Sequence, residues 1–246
     1  MRTIGIIGGL GPESTVDYYQ RIMEIFNQRY SGGFYPEIIV YSTDINAVLE
    51  VVREERWSRL TERLLGKIFS LDLAGADFAA IASNTPHVVF ERVRDKSPLP
   101  LISIVEATCL RARQEGLKKP GLMGTKFTMQ GDFYKKPFTD QGMEVVVPSE
   151  KEQRHIHERL FSEIELGIIK ESTRKELMDI ARRMFEKDGI DSLILGCTEL
   201  PLILPEQGFG IPFLNTTAIH VQSIVEYCFK DESIFVSGAK KESVQR

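Results

Sequence analysis

Short apolar runs broken by glycine alternate along the chain with longer segments whose apolar residues recur every three or four positions. Seven runs read as buried strands: residues 3–7, 37–41, 78–82, 99–103, 121–124, 144–147 and 192–195. Runs that stay apolar on both faces fit parallel strands covered by helices on either side. The intervening stretches suit helices, among them 16–30, 150–166 and 172–187. Strand and helix in regular alternation predict an α/β protein with parallel sheets. In such sheets the ligand lies beyond the carboxyl ends of the strands, so the residues just after each strand are the ones to inspect.

Local signals sharpen the helix starts. Pro12 in Gly11-Pro12-Glu13-Ser14 fits a first helical position, where its missing N–H costs nothing. Ser172 or Thr173 is the expected cap of the helix over 172–187. The polar stretch 230–246 reads as a fraying tail.

The pattern also repeats. Ile4-Gly5-Ile6-Ile7-Gly8-Gly9 has a counterpart in Pro120-Gly121-Leu122-Met123-Gly124-Thr125. The run 78–82 followed by Ser83-Asn84-Thr85-Pro86 has one in 192–196 followed by Cys197-Thr198-Glu199-Leu200-Pro201. Gly8 precedes Ser83 by 75 residues and Gly124 precedes Cys197 by 73. Two related lobes facing one cleft are therefore expected. The boundaries drawn are 1–107 plus 208–228 for the N-terminal lobe, 108–207 for the C-terminal lobe, and 229–246 for the tail.

Composition narrows the function. The 246 residues are 42% hydrophobic and 27% charged, with a net charge of −4 and both signs scattered along the chain. That is globular composition, without the basic stripe that nucleic acid or an anionic membrane attracts. No run is long enough to span a bilayer, and the N-terminus lacks the long apolar core of a signal peptide. Three widely spaced cysteines, Cys109, Cys197 and Cys228, suggest neither a disulfide framework nor a zinc site. A cytoplasmic protein is the expectation.

Cys197 is the leading chemical candidate. It follows a strand, and a helix starting just after it would favour the thiolate. Cys109 and Cys228 fall in helix-like stretches and read as structural. Ser83-Asn84-Thr85 offers a hydroxyl, an amide and backbone N–H groups in one turn, which can grip a carboxylate or cap a helix. Thr125 and Thr128 offer the same chemistry from the second half. Gly8-Gly9-Leu10-Gly11-Pro12 lacks the dinucleotide spacing and reads as a tight turn that lets backbone approach a small anion. Arg53, within a charge run, is a candidate for a side-chain carboxylate. His155 and His157 lie two apart and face different ways on a helix. His87 lies one helical turn beyond Ser83, and His220 reads as structural. No metal set emerges.

Taken in order, the segments 4–15, 83–87, 124–129, 196–200 and 215–220 resemble the aspartate/glutamate racemase family, over nearly the whole chain. The resemblance implies two similar Rossmann-like lobes related by a pseudo-twofold axis, with the active site in the cleft between them. It implies a cofactor-independent amino-acid racemase, commonly a homodimer, acting on aspartate or glutamate. Members normally carry two thiols facing the substrate Cα from opposite sides. Cys197 matches one of them; Ser83 stands where the other is usual. By the same resemblance Leu10, Asn84, Thr85, Thr125, Thr128 and Thr198 would hold the substrate, and Arg53 would read its side-chain carboxylate. A serine is a far weaker acid than a thiol, so the two faces of the substrate are not equivalent. The alternatives are a one-cysteine carbon-acid enzyme, such as a decarboxylase or isomerase of a related diacid, and a non-catalytic homologue that binds small anions.

Overall fold

The computed structural model describes residues 1–29 and 35–229. In chain order the first half runs β1 (Ile4–Gly8), α1 (Pro12–Arg29), β2 (Ile38–Ser42), α2 (Ile45–Arg53), α3 (Trp57–Leu73), β3 (Phe78–Ile81), α4 (Phe90–Arg94), β4 (Leu101–Ile102) and α5 (Ile104–Gln114). The second half runs β5 (Pro120–Gly124), α6 (Lys126–Gln130), α7 (Asp132–Thr139), α8 (Glu150–Ser162), α9 (Glu171–Arg183), β6 (Ser192–Gly196), β7 (Gln207–Gly208), β8 (Ile211–Asn215) and α10 (Thr216–Cys228). The tail expected to fray, 230–246, lies outside the described residues.

The strands form two sheets, in the orders β2-β1-β3-β4 and β5-β6-β8-β7, parallel except for the β7–β8 pair. The expected strand over 144–147 is reduced to one parallel bridge between Gly121 and Val146. With that bridge counted, the second sheet repeats the first: Val146, β5, β6 and β8 stand where β2, β1, β3 and β4 stand. The repeat read from the sequence is thus a repeat of structure, and it makes Ser83 and Cys197 equivalent strand-end residues.

Both faces of each sheet are covered. Ile7 and Ile81 pack with Leu64 and Ile68 on one face of the first sheet, while Ile4 and Ile6 pack with Tyr18 and Ile22 on the other. In the second sheet Leu193 and Leu195 pack with Ile156, Leu160 and Leu177, whereas Leu122 and Ile194 pack with Tyr134 and Phe138. Successive residues of one strand thus serve opposite layers, which is why the strands read as unbroken apolar runs.

Three expectations change. The run 211–215 forms β8 in the second sheet, so residues 208–215, assigned from sequence to the N-terminal lobe, pair with the C-terminal one. Among the described residues after β8, α10 crosses back, burying Val221, Ile224 and Val225 against Ile4, Ile6 and Phe78. The boundary at 107/108 falls inside α5. Finally, α9 starts at Glu171 without a side-chain cap; Thr173 instead donates its hydroxyl to the Glu163 carboxylate. Pro12 does open α1.

Candidate active site

Strand ends set the geometry. Ala82 still bonds through its N–H to Ile7 O at 3.0 Å, and Ser83 follows at the carboxyl edge of the first sheet. A 3-10 turn over Thr85–Val89 then carries the chain away. In the second sheet β6 ends at Gly196 and Cys197 follows directly. Ser83, Asn84 and Thr85 line one side of the interlobe cleft, and Thr125, Cys197 and Thr198 line the other. Leu10 lines it as well, with Val48 and Val52 of α2 and with Phe127, Phe161 and Glu165.

Three threonine hydroxyls tie the lobes together. Thr85 Oγ1 lies 3.0 Å from Thr125 Oγ1 and 3.4 Å from Thr128 Oγ1, and the latter two lie 3.1 Å apart. Thr125 also caps α6 by accepting the Thr128 N–H. Thr128, one corner of this triangle, is fully buried and does not itself line the cleft. Asn84 donates through Nδ2 to Thr216 Oγ1 at 3.2 Å, while its buried Oδ1 has no partner among the described residues.

The surroundings of Cys197 differ from expectation. Only a three-residue 3-10 turn, Leu200–Leu202, follows it. Its Sγ donates to Glu199 Oε2 at 3.0 Å, and Thr198 Oγ1 donates to the same oxygen at 2.8 Å. Burial and the neighbouring carboxyl groups of Glu199 and Glu165 push the Cys197 thiol well above the usual range. The Glu199 backbone N–H pulls the other way and is outweighed. The resting residue is therefore a thiol, not the helix-stabilised thiolate expected from sequence.

Glu199 explains the glycine turn. A Cβ on Gly11, whose φ is +146°, would come within 2.2 Å of Glu199 Oε1. A Cβ on Gly9, with φ +72°, would come within 2.3 Å of Thr43 O. The acidic group this turn approaches is the protein's own Glu199 carboxyl, whose pKa burial pushes up.

His87, the nearest candidate partner in sequence, places Nδ1 2.9 Å from the Ser83 backbone carbonyl rather than the hydroxyl. Its Nε2 accepts the Ile104 N–H at 3.3 Å, so Nδ1 carries the ring proton and donates it. Burial holds this imidazole neutral, its pKa lowered to about 3. His220 is likewise structural: Tyr18 OH lies 2.7 Å from Nδ1 and Ile102 O lies 2.9 Å from Nε2.

A strand-end thiol and a strand-end hydroxyl, facing one cleft between two repeated parallel sheets, are thus in place. The family model described as Asp/Glu/Hydantoin racemase matches residues 7–224.

The chain belongs to the Asp/Glu/hydantoin racemase family.

An aspartate racemase homologue from Pyrococcus horikoshii OT3 superposes with a TM-score of 0.81 at 35% identity, covering 93% of this chain and 99% of its own. The Picrophilus torridus aspartate racemase shares the fold at a TM-score of 0.76 and 20% identity, over 93% and 94% of the two chains. In sequence, the broad specificity amino-acid racemase RacX of Bacillus subtilis (strain 168) is 24% identical over 229 residues, 90% of this chain and 96% of that one.

Within this racemase-family cleft two groups escaped the sequence reading. Glu199 was visible only as part of the Gly-Cys-Thr-Glu run. Glu165 sits in a 3-10 turn after α8, and no local signal connects it to Cys197. Burial, then the charge of Glu199, raises Glu165 to about 8, against the pull of Arg53. Among the described residues the ligand-type atoms of Glu165, Cys197 and Glu199 lie within 4.8 Å of one another, the set whose geometry would admit a metal ion. Arg53 is exposed at the end of α2 and does not line the cleft. It lines a neighbouring depression with Lys126, Arg154 and His157, on the other side of Phe127.

Proposed function

We propose that this protein racemises a free α-amino acid without a cofactor, moving the α-proton between Cys197 on one face of Cα and Ser83 on the other. The observation that carries the reading is the placement of these two residues at equivalent strand ends, β6 and β3, lining one cleft. Asn84, Thr85, Thr125 and Thr198 offer the amide and hydroxyl groups that would orient the α-carboxylate and ammonium. The racemase names of the relatives support the same reaction class. Aspartate and glutamate are the substrates implied by the family resemblance.

The chemistry is asymmetric. A thiol with a raised pKa is a poor thiolate source, but its thiolate is a correspondingly stronger base toward a carbon acid. The positive charge of a bound ammonium beside Cys197 offsets the carboxyl groups that hold the proton on sulfur. Ser83 lacks an activating side chain among the described residues, because His87 is spent on backbone. As an acid, Ser83 still delivers a proton to a strongly basic carbanion. Racemisation has an equilibrium constant of one, so kcat/KM is equal in both directions, yet the half-reactions differ.

Proton NMR in heavy water follows α-proton exchange while chiral chromatography follows inversion. The enantiomer whose proton faces Cys197 should exchange faster than it inverts, since return from the thiol outruns delivery from the hydroxyl. Cys197→Ala should abolish both signals, and Ser83→Cys should raise inversion relative to exchange. Equal exchange of both enantiomers in the native enzyme would show that Ser83 has an activating partner, contrary to this mechanism.

A further inference from the structure

The depression on the other side of Phe127 collects positive charge. Arg53 reaches it from the end of α2, Lys126 from the start of α6, and Arg154 and His157 from α8. Three fixed cations thus face one carboxylate, Glu55, in a protein whose net charge is −4. Among the described residues Arg53 and Lys126 have no carboxylate within ion-pair distance. Arg154 has only an exposed pair with Glu150 at 3.7 Å, and such a pair is worth little. Like charges gathered without a counter-charge repel, and an anion placed among them relieves that repulsion.

His157 adds a donor. Its Nδ1 accepts the Lys126 backbone N–H at 3.3 Å, so the neutral ring carries its proton on Nε2, which has no partner among the described residues. The ring is fixed edge-on against Phe127 and Phe161, with centroids 6.0 and 4.7 Å away. Burial, then the charges of Lys126 and Arg53, lowers its pKa; the positive field of both lobes converges on this ring. The donor set favours one ligand class. A single carboxylate satisfies one guanidinium fork. Two guanidinium groups, an ammonium and an imidazole N–H around a space of about 450 Å³ match a group with more charge and more acceptors. A phosphoryl group carries a charge of about −1.5 to −2 and offers oxygens in several directions.

We infer that this depression binds a phosphate-class anion, free phosphate or the phosphoryl group of a metabolite, which bridges Arg53 of one lobe to Lys126 and Arg154 of the other and so restrains the cleft from opening. The anion lies outside the reaction centre: neither Cys197 nor Ser83 lines the depression, and Phe127 alone is shared with the cleft. The site does not depend on the racemase reading, because its donors and its geometry stand whichever reaction the cleft performs.

Imidazole proton NMR follows the titration with inorganic phosphate, at constant ionic strength with chloride as the balancing anion so that general screening cancels. His157→Gln identifies the His157 resonance by its loss. Phosphate should shift that resonance saturably and leave the others in place, because His87 and His220 are buried elsewhere and His155 is held by Glu176. Lys126→Ala combined with Arg154→Ala removes two exposed side chains and should weaken phosphate binding about tenfold or more, with thermal unfolding unchanged. Glycerol phosphate separates the two sources: tighter binding than phosphate identifies a metabolite's phosphoryl group, and weaker binding identifies the free ion. Saturating phosphate should also slow iodoacetamide alkylation of Cys197 in the native protein and not in the double variant. No saturable shift of His157, or a shift that survives in the double variant, would overturn the site. A shift with unchanged alkylation would overturn the bridging. Glutamate moving the His157 resonance where phosphate does not would overturn the proposal too, by assigning the depression to a carboxylate ligand.

Discussion

Replacing Glu199 by glutamine should make Cys197 more reactive, not less. The Cys197 Sγ lies 3.0 Å from Glu199 Oε2, and an ionised carboxylate there opposes ionisation of the sulfur. Two full charges at that distance repel by about 5 kcal/mol at an effective dielectric constant of about 20. Two effects reduce this. Burial raises the pKa of Glu199 itself, so its full charge is not always present, and the carboxylate spreads its charge over two oxygens. With roughly a quarter to a half surviving, removal of the charge increases the thiolate fraction about 10- to 100-fold. The intrinsic nucleophilicity of a thiolate falls with its pKa, with a Brønsted coefficient of about 0.4–0.5. Alkylation of Cys197 at a fixed mildly alkaline pH should therefore accelerate by about 3- to 10-fold. Mass spectrometry of the Cys197 peptide after timed iodoacetamide exposure isolates this residue from the buried Cys109 and Cys228. A slower reaction in Glu199→Gln would mean that Glu199 accepts the thiol proton as a base, and the electrostatic account would be wrong.

Other outcomes follow from the same geometry. Gly11→Ala should destabilise the protein by about 1–3 kcal/mol in denaturant unfolding, since the new Cβ meets Glu199 Oε1 at 2.2 Å in a backbone conformation L residues rarely adopt; unchanged stability would show that Glu199 moves aside freely. Thr125→Val should cost about 1–2 kcal/mol by removing the cap of α6 and one corner of the hydroxyl triangle, and should raise KM in the racemase assay. Acid should weaken the fold well before ordinary carboxylates titrate. His87 and His220 are lowered by burial to about 3 and about 4, so the unfolded chain binds their protons first as pH falls. Their stabilising effect is full above the ordinary histidine pKa of about 6.5 and is lost between there and the folded values, with a slope up to about 2.7 kcal/mol per pH unit. Urea midpoints that stay flat from pH 7 to 4.5 would contradict this.

The sequence by itself carried the architecture. Apolar runs with no polar alternation, separated by helical periodicity, favour parallel strands buried on both faces, because a strand covered on one face alone would alternate. The repeat of glycine turn and strand-end motif at nearly equal spacing located Ser83 and Cys197 as equivalent positions, and the resemblance named the family. The pattern fell short where context overrides it. Residues 144–147 look like a strand but lie at the sheet edge and form only one bridge. Residues 211–215 were passed over, and β8 exists because β6 offers it a free edge.

The electrostatics of the site were decided by tertiary structure alone. Local sequence predicted a thiolate, since it shows Cys197 near a possible helix start. It cannot show that Glu199 turns back onto the sulfur in the space left by Gly11, nor that Glu165 arrives from a turn more than thirty residues away. Nor does the sequence place Arg53, which a short charge run leaves free to face any direction, in the depression beside the cleft rather than in it. Ionisation depends on distance and on exclusion of water, and both are properties of packing.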